Sequence, residues 1–322
     1  MMSNRRIRPV ASTALLGLTG GVGLGLVGAT LGALLGEWWW PLDLLTSFHP
    51  QYAVALAAVA LMHLALRSPA SGGWFLAFAL INSSIVAPYV VGGGGGTATG
   101  DARLSILSFN VGVSNPMRRD IARYVAEEQP DLLFVIESSF EWEDALAAAG
   151  PPMAAIAIVP RGMVSGITVM ADPDLLPRPV EVPFADPDEG AAVEVALGTE
   201  RIVVLALHPP SPTSGDRAAR RDGILSAAGD WVATLDRPVV VVGDFNATPW
   251  SSAFRALQVR GGLADTARGR GLQPSWPSGW GPAMIPIDNA LHTGGLVAVD
   301  RETGPSFGSA HRPLTVTVAP GG

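Results

Sequence analysis

The sequence contains no cysteine and no lysine. The lack of cysteine excludes disulfide bonds, thiolate metal ligands and thiol nucleophiles. It fits an oxidising compartment as well as a reducing one, so it does not indicate where the protein resides. All 21 basic side chains are arginines, which we interpret as an effect of codon composition rather than of function.

Charged residues are almost absent from the first hundred positions. Residues 10–36 form a run of 27 without a charge, and a helix of roughly 20 apolar residues already crosses a hydrocarbon core of ~30 Å. Two further apolar runs follow. We therefore predict a membrane anchor over residues 1–91, with about three transmembrane helices at 10–36, 46–66 and 74–91. The only charges in this part are Arg5, Arg6, Arg8, Glu37, Asp43 and Arg67.

The first apolar run has an alternative explanation as a cleaved signal peptide, because three arginines precede it. Its length argues against this, since the apolar part of a signal peptide covers only ~7–15 residues. Further apolar runs also follow it. Trp38, Trp39 and Trp40 at its far end are typical of an interfacial aromatic belt, which favours the anchor.

The arginines predict the orientation of the anchor. Basic residues flanking membrane spans stay in the cytoplasm, so the N-terminal arginines and Arg67 belong on that side. Three spans then place everything after Gly92 outside the cytoplasm, whereas two spans would place it inside. We predict a multi-pass protein of the cell membrane with its large domain on the extracytoplasmic side. Residues 92–102 begin with five glycines and form a flexible linker.

From residue 103 to 322 the pattern changes to short apolar runs rich in β-branched residues, separated by turns. Helical periodicity fits only Met117 to Glu128, Asp216 to Thr234 and Ser251 to Leu257. This balance predicts an α/β fold of two packed sheets with helices outside, and not a simple alternation of strands and helices. The nine predicted strands lie in LSILSFNVG, LLFVIE, AAIAIVP, GITVMA, AAVEVAL, RIVVLALH, PVVVVGDFN, IPIDNALH and PLTVTV.

Polar side chains occur at the ends of these runs. Each one alone has an ordinary explanation, such as a turn residue, a cap or a surface histidine. Taken together, one metal-holding acid, two histidines, amides and spare acids form a set suited to cleaving phosphate esters. The candidate residues are Asn110, Glu137, His208, Asp244, Asn246, Asp288 and His311.

The stretch VVVVGDFNATPWSS contains the most informative pair. Asp244 and Asn246 are two residues apart and point to the same side of an extended chain. They fit a metal or phosphate site, or an Asx-turn before the next helix. Thr248 or Ser251 is the expected start of that helix.

At these residues the sequence resembles the endonuclease/exonuclease/phosphatase superfamily with its DNase-I-like fold. The resemblance implies a four-layer sandwich of two mixed β-sheets flanked by helices, and a metal-dependent hydrolase acting on phosphoric ester bonds. The three predicted N-terminal spans and the sequence from Pro212 to Arg221 resemble the bacterial membrane-anchored branch of this superfamily. The matching pieces are LSFNVG, DLLFVIE, ALHPPSP, GDFNATPWS, PIDNAL and SAHRPL, in family order.

The resemblance also implies roles for individual residues. Glu137 would bind a divalent cation, Mg²⁺ or Mn²⁺, with Asn110 close by. Asp244 would position or deprotonate the attacking water. A second group of roles concerns the phosphate: Asn246 and His208 would donate hydrogen bonds to its non-bridging oxygens, and His311, oriented by Asp288, would act on the water or balance charge at phosphorus.

Two positions depart from the family pattern. The last motif usually reads Ser-Asp-His, and here it reads Ser309-Ala310-His311. The missing carboxylate normally stands at the metal site, so a weakened metal site is expected. The residue after Asp288 is often histidine and is Asn289 here.

The substrate class is less constrained than the chemistry. From Asp101 onward 17 arginines face 26 acidic residues, a net charge of about −9, which is unfavourable for non-specific nucleic-acid binding. Arg217 and Arg221 share a helix face and could bind phosphate, or could simply be solvated. The expected substrate is a phosphate ester of a lipid headgroup, a nucleic acid or a small molecule, with no obligate protein partner. The alternatives are a nuclease acting on external DNA or RNA, and a catalytically impaired binding domain because of Ala310.

Overall fold

The computed structural model describes residues 10–93, 96–149, 153–158, 166–184, 186 and 188–321. The chain forms two compact units, Met1–Pro88 and Tyr89–Gly322. Arg5, Arg6 and Arg8, on which the predicted orientation depends, lie outside the described residues, as do residues 94–95 of the predicted linker.

The first unit is helical, and three of its segments are long and apolar enough to cross a membrane by length and composition: Ser12–Leu34, Trp40–Ala65 and Pro69–Val90. The second and third begin several residues before the predicted 46 and 74. The predicted second span began after Asp43 because only residues without charge were included, yet the Asp43 side chain is buried within the second segment. Pro69 is tolerated because it stands in the first turn of its helix. The helices are α1 (Val10–Leu34), α2 (Trp40–Leu45), α3 (His49–Ala65) and α4 (Pro69–Val90).

Polar side chains inside this unit find partners on neighbouring helices. Asn82 of α4 donates to Thr30 of α1 at 3.0 Å, and its amide oxygen lies 2.7 Å from the Nδ1 atom of His49. Near the other end of α3, His63 lies 3.0 Å from the hydroxyl of Thr19. In an apolar surrounding such pairs are the favourable state for groups that would otherwise lack hydrogen bonds.

The second unit contains two six-stranded sheets. The first has the order β11-β12-β1-β2-β4-β3 and the second β5-β6-β7-β8-β10-β9. Parallel pairs β1/β2 and β7/β8 make both sheets mixed. The strands are β1 (Leu104–Asn110), β2 (Leu132–Ser138), β3 (Ala154–Ile158), β4 (Gly166–Ala171), β5 (Arg178–Val180), β6 (Gly190–Leu197), β7 (Glu200–Leu207), β8 (Val239–Asp244), β9 (Ala264–Asp265), β10 (Asp288–His292), β11 (Leu296–Thr303) and β12 (Leu314–Pro320).

The sheets pack face to face and carry helices on their outer faces. Leu104 and Phe134 from the first sheet share one core with Val193 and Val242 from the second. The outer face of each sheet forms a further core with its own pair of helices. This confirms the predicted four-layer sandwich. The helices are α5 (Arg118–Glu128), α6 (Phe140–Ala149), α7 (Gly215–Val232) and α8 (Ser252–Gly261).

The boundaries of the predicted helices differ from the observed ones by a few residues, and three strands and one helix were missed. Ser251 caps α8, accepting a hydrogen bond from the backbone N–H of Phe254 at 3.2 Å, and is one of the two starts that the sequence predicted. The missed elements are β5, β9, β11 and α6. Residues 159–160, which end the predicted run AAIAIVP, lie outside the described residues.

Candidate active site

The candidate site lies where the inner faces of the two sheets end. Side chains alternate along a strand, so Asn110 lies on the same face of β1 as the core residue Ile106. Asp244 follows the core residue Val242 on β8 in the same way, and Asp288 begins β10. The alternation that builds the shared core therefore delivers an amide and two acids to its edge.

Asn110 joins the two sheets at this edge. Its Nδ2 group donates to Oε1 of Glu137 at 3.0 Å and to Oδ2 of Asp244 at 3.1 Å. Its Oδ1 atom accepts from the backbone N–H of Gly112 at 3.2 Å. Asn110 thus presents its donor side to the two carboxylates and lies next to Glu137, and its part in the metal site stays a prediction.

Glu137 departs from regular strand geometry. Its φ of +57° lies in the left-handed region, and the pairing of β2 with β4 shifts register between Ile136 and Ser138. Left-handed backbone at a residue with a side-chain β-carbon costs energy and is concentrated at functional sites. The irregularity gives Glu137 a side chain that is 31% exposed beside buried neighbours.

His311 lies between two carboxylates. Its Nδ1 atom is 3.0 Å from Oδ2 of Asp288, and its Nε2 atom is 3.7 Å from Oδ2 of Asp244. Burial alone would lower the pKa of His311, but the charges of Asp288 and Asp244 outweigh it and raise this pKa to about 9. Burial raises the pKa of Asp244, opposed by His311 and increased further by Asp288. The pair therefore favours an imidazolium next to a carboxylate of increased basicity.

His208 and Asn246 complete the group on the side of the second sheet. The Nε2 atom of His208 lies 3.7 Å from Glu137 and 3.9 Å from Asp244. The backbone N–H of Asn246 donates to Oδ1 of Asp244 at 3.0 Å, which is the Asx-turn that the sequence also allowed. The structure thus brings all seven predicted site residues into one connected group, and their roles stay predictions.

Two neighbours were not predicted as site residues. The hydroxyl of Ser309 donates to the backbone oxygen of Asn110 at 2.7 Å and accepts from the N–H of His311 at 3.0 Å, which fixes the last motif against β1. The ring of Trp276 lies 6.5 Å from that of His311 and is partly exposed. Ser309 stands in a quoted motif, but the sequence contains no signal for its bonding partners.

The donor atoms fit a hard divalent cation. Glu137 offers a partly exposed carboxylate, and such cations prefer oxygen ligands and keep several waters. Asp244, Asp288 and His311 also present one ligand atom each within 4.8 Å of one another, although Asp288 already engages one nitrogen of His311. Oxygen donors and access to water suit Mg²⁺ or Mn²⁺ at Glu137.

Acids, amides and histidines gathered at one edge of two packed mixed sheets form a set suited to cleaving phosphate esters. Residues 107–311 match the model of the "Endonuclease/Exonuclease/phosphatase family", and the chain belongs to that family. This confirms the resemblance drawn from the motifs. Members of this family are hydrolases acting on phosphoester bonds, so the chain is an enzyme of that class.

Solved structures share the fold at low sequence identity. An endonuclease/exonuclease/phosphatase from Bacteroides vulgatus is 15% identical with a TM-score of 0.56, covering 68% of this chain and 100% of its own. TDP2 from D. rerio, complexed with a single-strand DNA product, is 15% identical with a TM-score of 0.55 and coverages of 68% and 99%. The mannosyl-6-phosphatase Bt3783 of Bacteroides thetaiotaomicron is 14% identical with a TM-score of 0.52 and coverages of 67% and 99%. No curated protein matches the chain in sequence.

Proposed function

We propose that this protein is a membrane-anchored phosphoesterase that depends on a divalent metal and cleaves its substrate by attack of an activated water. The observation that carries the proposal is the placement of His311 between Asp288 and Asp244, connected through Asn110 to Glu137. Family membership supports the general activity.

The pKa shifts favour different roles for Asp244 and His311, one as a proton acceptor and the other as a positive charge. A carboxylate whose pKa is raised accepts a proton more readily than an exposed one, so Asp244 is the group that takes the proton of the attacking water. His311 keeps its proton at neutral pH because its pKa is raised to about 9. Its positive charge then balances the negative charge that develops at phosphorus, and Asp288 holds the ring in place.

Asn246 and His208 are the residues that we assign to binding of the phosphoryl oxygens. One N–H of the Asn246 side chain donates to the backbone oxygen of Pro209 at 3.0 Å, which leaves the second N–H for substrate. His208 supplies a further donor on the same side. Donors fixed before the reaction stabilise the growing charge without the cost of reorienting.

The metal would be held by Glu137, with its remaining ligands from water and substrate. When bound, it polarises the phosphoryl group and steadies the leaving oxygen. Ala310 stands where the family usually supplies a second carboxylate, so we expect weaker metal binding without its loss.

The anchor and the location of the catalytic domain are part of the proposal. Three apolar helices support the anchor, and Arg67 between the second and third supports an extracytoplasmic catalytic domain. Tethering near a bilayer suits a lipid headgroup or another external phosphate ester as substrate. A nuclease acting on external DNA or RNA is the narrower alternative, and an impaired binding domain is the other.

The test is turnover by the full chain, purified in detergent, with Mg²⁺ or Mn²⁺. The substrates are plasmid DNA, RNA, sphingomyelin, phosphatidylinositol phosphates, a sugar phosphate and bis-p-nitrophenyl phosphate. We expect metal-dependent hydrolysis of at least one substrate, abolished by chelator and by His311→Ala. If neither the natural chain nor Ala310→Asp turns over any substrate with either metal, the proposed hydrolysis is wrong and the impaired binding domain is the remaining alternative.

A further inference from the structure

The arginine-rich start of α7 has a contact that neither interpretation of the sequence anticipated. Arg221 is neither a solvated side chain nor a group open to substrate, because its side chain is only 2% exposed. Its Nη1 group donates to the backbone oxygen of Asn246 at 3.1 Å, and its Nε group donates to Asp222 at 2.8 Å. Burying a cation costs free energy unless it is paired. Here the buried guanidinium of Arg221 also binds the backbone oxygen of a site residue, Asn246.

A second contact to Asn246 comes from the loop before α7. The hydroxyl of Ser211 donates to Oδ1 of the Asn246 side chain at 2.9 Å. The backbone oxygen of Pro209 accepts from Nδ2 of the same side chain. Rotating the amide by half a turn would place its oxygen against the oxygen of Pro209, so the two contacts together fix which way the amide points.

The backbone of Asn246 needs such support. Its φ is +47°, in the left-handed region, which is disfavoured for residues with a β-carbon and persists only when surrounding contacts impose it. Its own N–H is used by Asp244. Arg221 holds the opposite end of the residue, at the backbone oxygen, so the main chain is held from both sides.

We propose that Ser211 and Arg221 are positioning residues that aim the second side-chain N–H of Asn246, the one not directed at Pro209, at the substrate phosphate. The proposal rests on the proposed function, since it assigns Asn246 the role of a phosphoryl donor. Arg221 fixes the peptide and Ser211 fixes the amide. Neither touches the reacting atoms. A displacement of such a donor by about 1 Å is enough to cost up to about 100-fold in rate.

The test is a double-mutant cycle in the full chain. Ser211→Ala and Arg221→Gln are each made alone and in combination with Asn246→Ala. The values of kcat and KM are measured with the substrate that the turnover test identifies. We expect each single variant to lower kcat by about tenfold, and by less than about twofold once Asn246 is alanine, because groups that act through one residue are not additive. Ser211→Thr keeps the hydroxyl and should restore most of the rate.

The matched control is Leu225→Ala. Leu225 lies on α7 and is fully buried, so its truncation loosens the same helix without removing a hydrogen bond to Asn246. We expect it to lower the melting temperature and leave kcat unchanged. If Leu225→Ala lowers kcat as much as Arg221→Gln at an equal loss of melting temperature, or if the single variants lower kcat equally in both backgrounds, the positioning role is wrong.

Binding of inorganic phosphate gives a readout that does not need turnover. With Mg²⁺ present, phosphate should raise the melting temperature of the natural chain and of Leu225→Ala, and much less so that of Ser211→Ala, Arg221→Gln and Asn246→Ala. If no substrate is turned over but this pattern holds, the proposed hydrolysis fails and the positioning stands. An equal rise in all variants, or no rise in the natural chain, overturns the positioning itself. The phosphate measurement also decides the case in which Asn246→Ala is too slow for kinetic assay.

Discussion

The imidazole of His311 makes the stability of the domain depend on pH. Its pKa is raised in the folded chain to about 9 by Asp288 and Asp244, against about 6.5 in the unfolded chain. The stabilisation is complete below pH 6.5 and is lost as the pH rises toward 9. We expect the free energy of unfolding to fall by up to about 3 kcal/mol over this window through His311 alone.

Chemical denaturation of the full chain at several pH values, with chelator present, measures this contribution. The curve for His311→Gln should be flatter between pH 6.5 and 9 than the curve for the natural chain. Parallel curves would show that the ring gains no proton affinity on folding.

Ala310 allows a test of the incomplete metal site. Its side chain is exposed and its backbone oxygen accepts from the N–H of Ser278 at 2.7 Å, so a larger side chain fits without displacing the loop. We expect Ala310→Asp to reduce the Mg²⁺ concentration for half-maximal activity by about tenfold, because a further carboxylate strengthens a hard-cation site. Ala310→Asn, which has the same shape without the charge, should change it by less than about threefold. A metal titration of activity distinguishes the two.

Strand β8 contains a position that only glycine can occupy. Gly243 has a φ of +133°, and a β-carbon there would lie 2.2 Å from the backbone oxygen of Leu207 on the paired strand β7. Both atoms belong to backbone in the middle of a sheet, so neither can move cheaply. We expect Gly243→Ala to prevent folding or to lower the free energy of unfolding by more than about 4 kcal/mol.

Gly262 after α8 is the control, because it also has a positive φ, of +59°, but has open space around its α-carbon. Gly262→Ala should cost only about 1 kcal/mol. Thermal unfolding of both variants separates steric overlap from backbone strain. Similar losses in the two would mean that β7 and β8 can separate locally.

The elements that the sequence predicted are those with uniform apolar faces. β8 and β2 are continuous apolar runs, and α5 has a clear apolar stripe. β11 was missed because Asp300, Arg301 and Glu302 interrupt its second half, and β5 because it is three residues long and includes proline. The site residues were predictable by type and by motif because they lie at or beside the ends of apolar runs. The contacts of Ser211, Ser309 and Arg221 were not, since they depend on which loop meets which strand.

The predicted sidedness of the whole chain can be tested independently of its chemistry. Fusions placed after Gly96 carry either a phosphatase that is active only outside the cytoplasm or a fluorescent protein that matures only inside. Three spans predict activity of the first and no fluorescence from the second. A fusion placed after Arg67 should give the reverse. Fluorescence after Gly96 would mean that only two spans cross.

The order of strands in the first sheet has a consequence for how the domain matures. Strand β12 is the last in the chain, yet it lies between β11 and β1 and pairs Val318 with Leu104. The whole second sheet, β5 to β10, is synthesised between these two partners. Strands this far apart in sequence pair slowly. The edge of β1 that pairs with β12 therefore stays unpaired while the rest of the domain is synthesised. A chain that passes through a translocation channel would therefore remain open to proteolysis until β12 has emerged and paired.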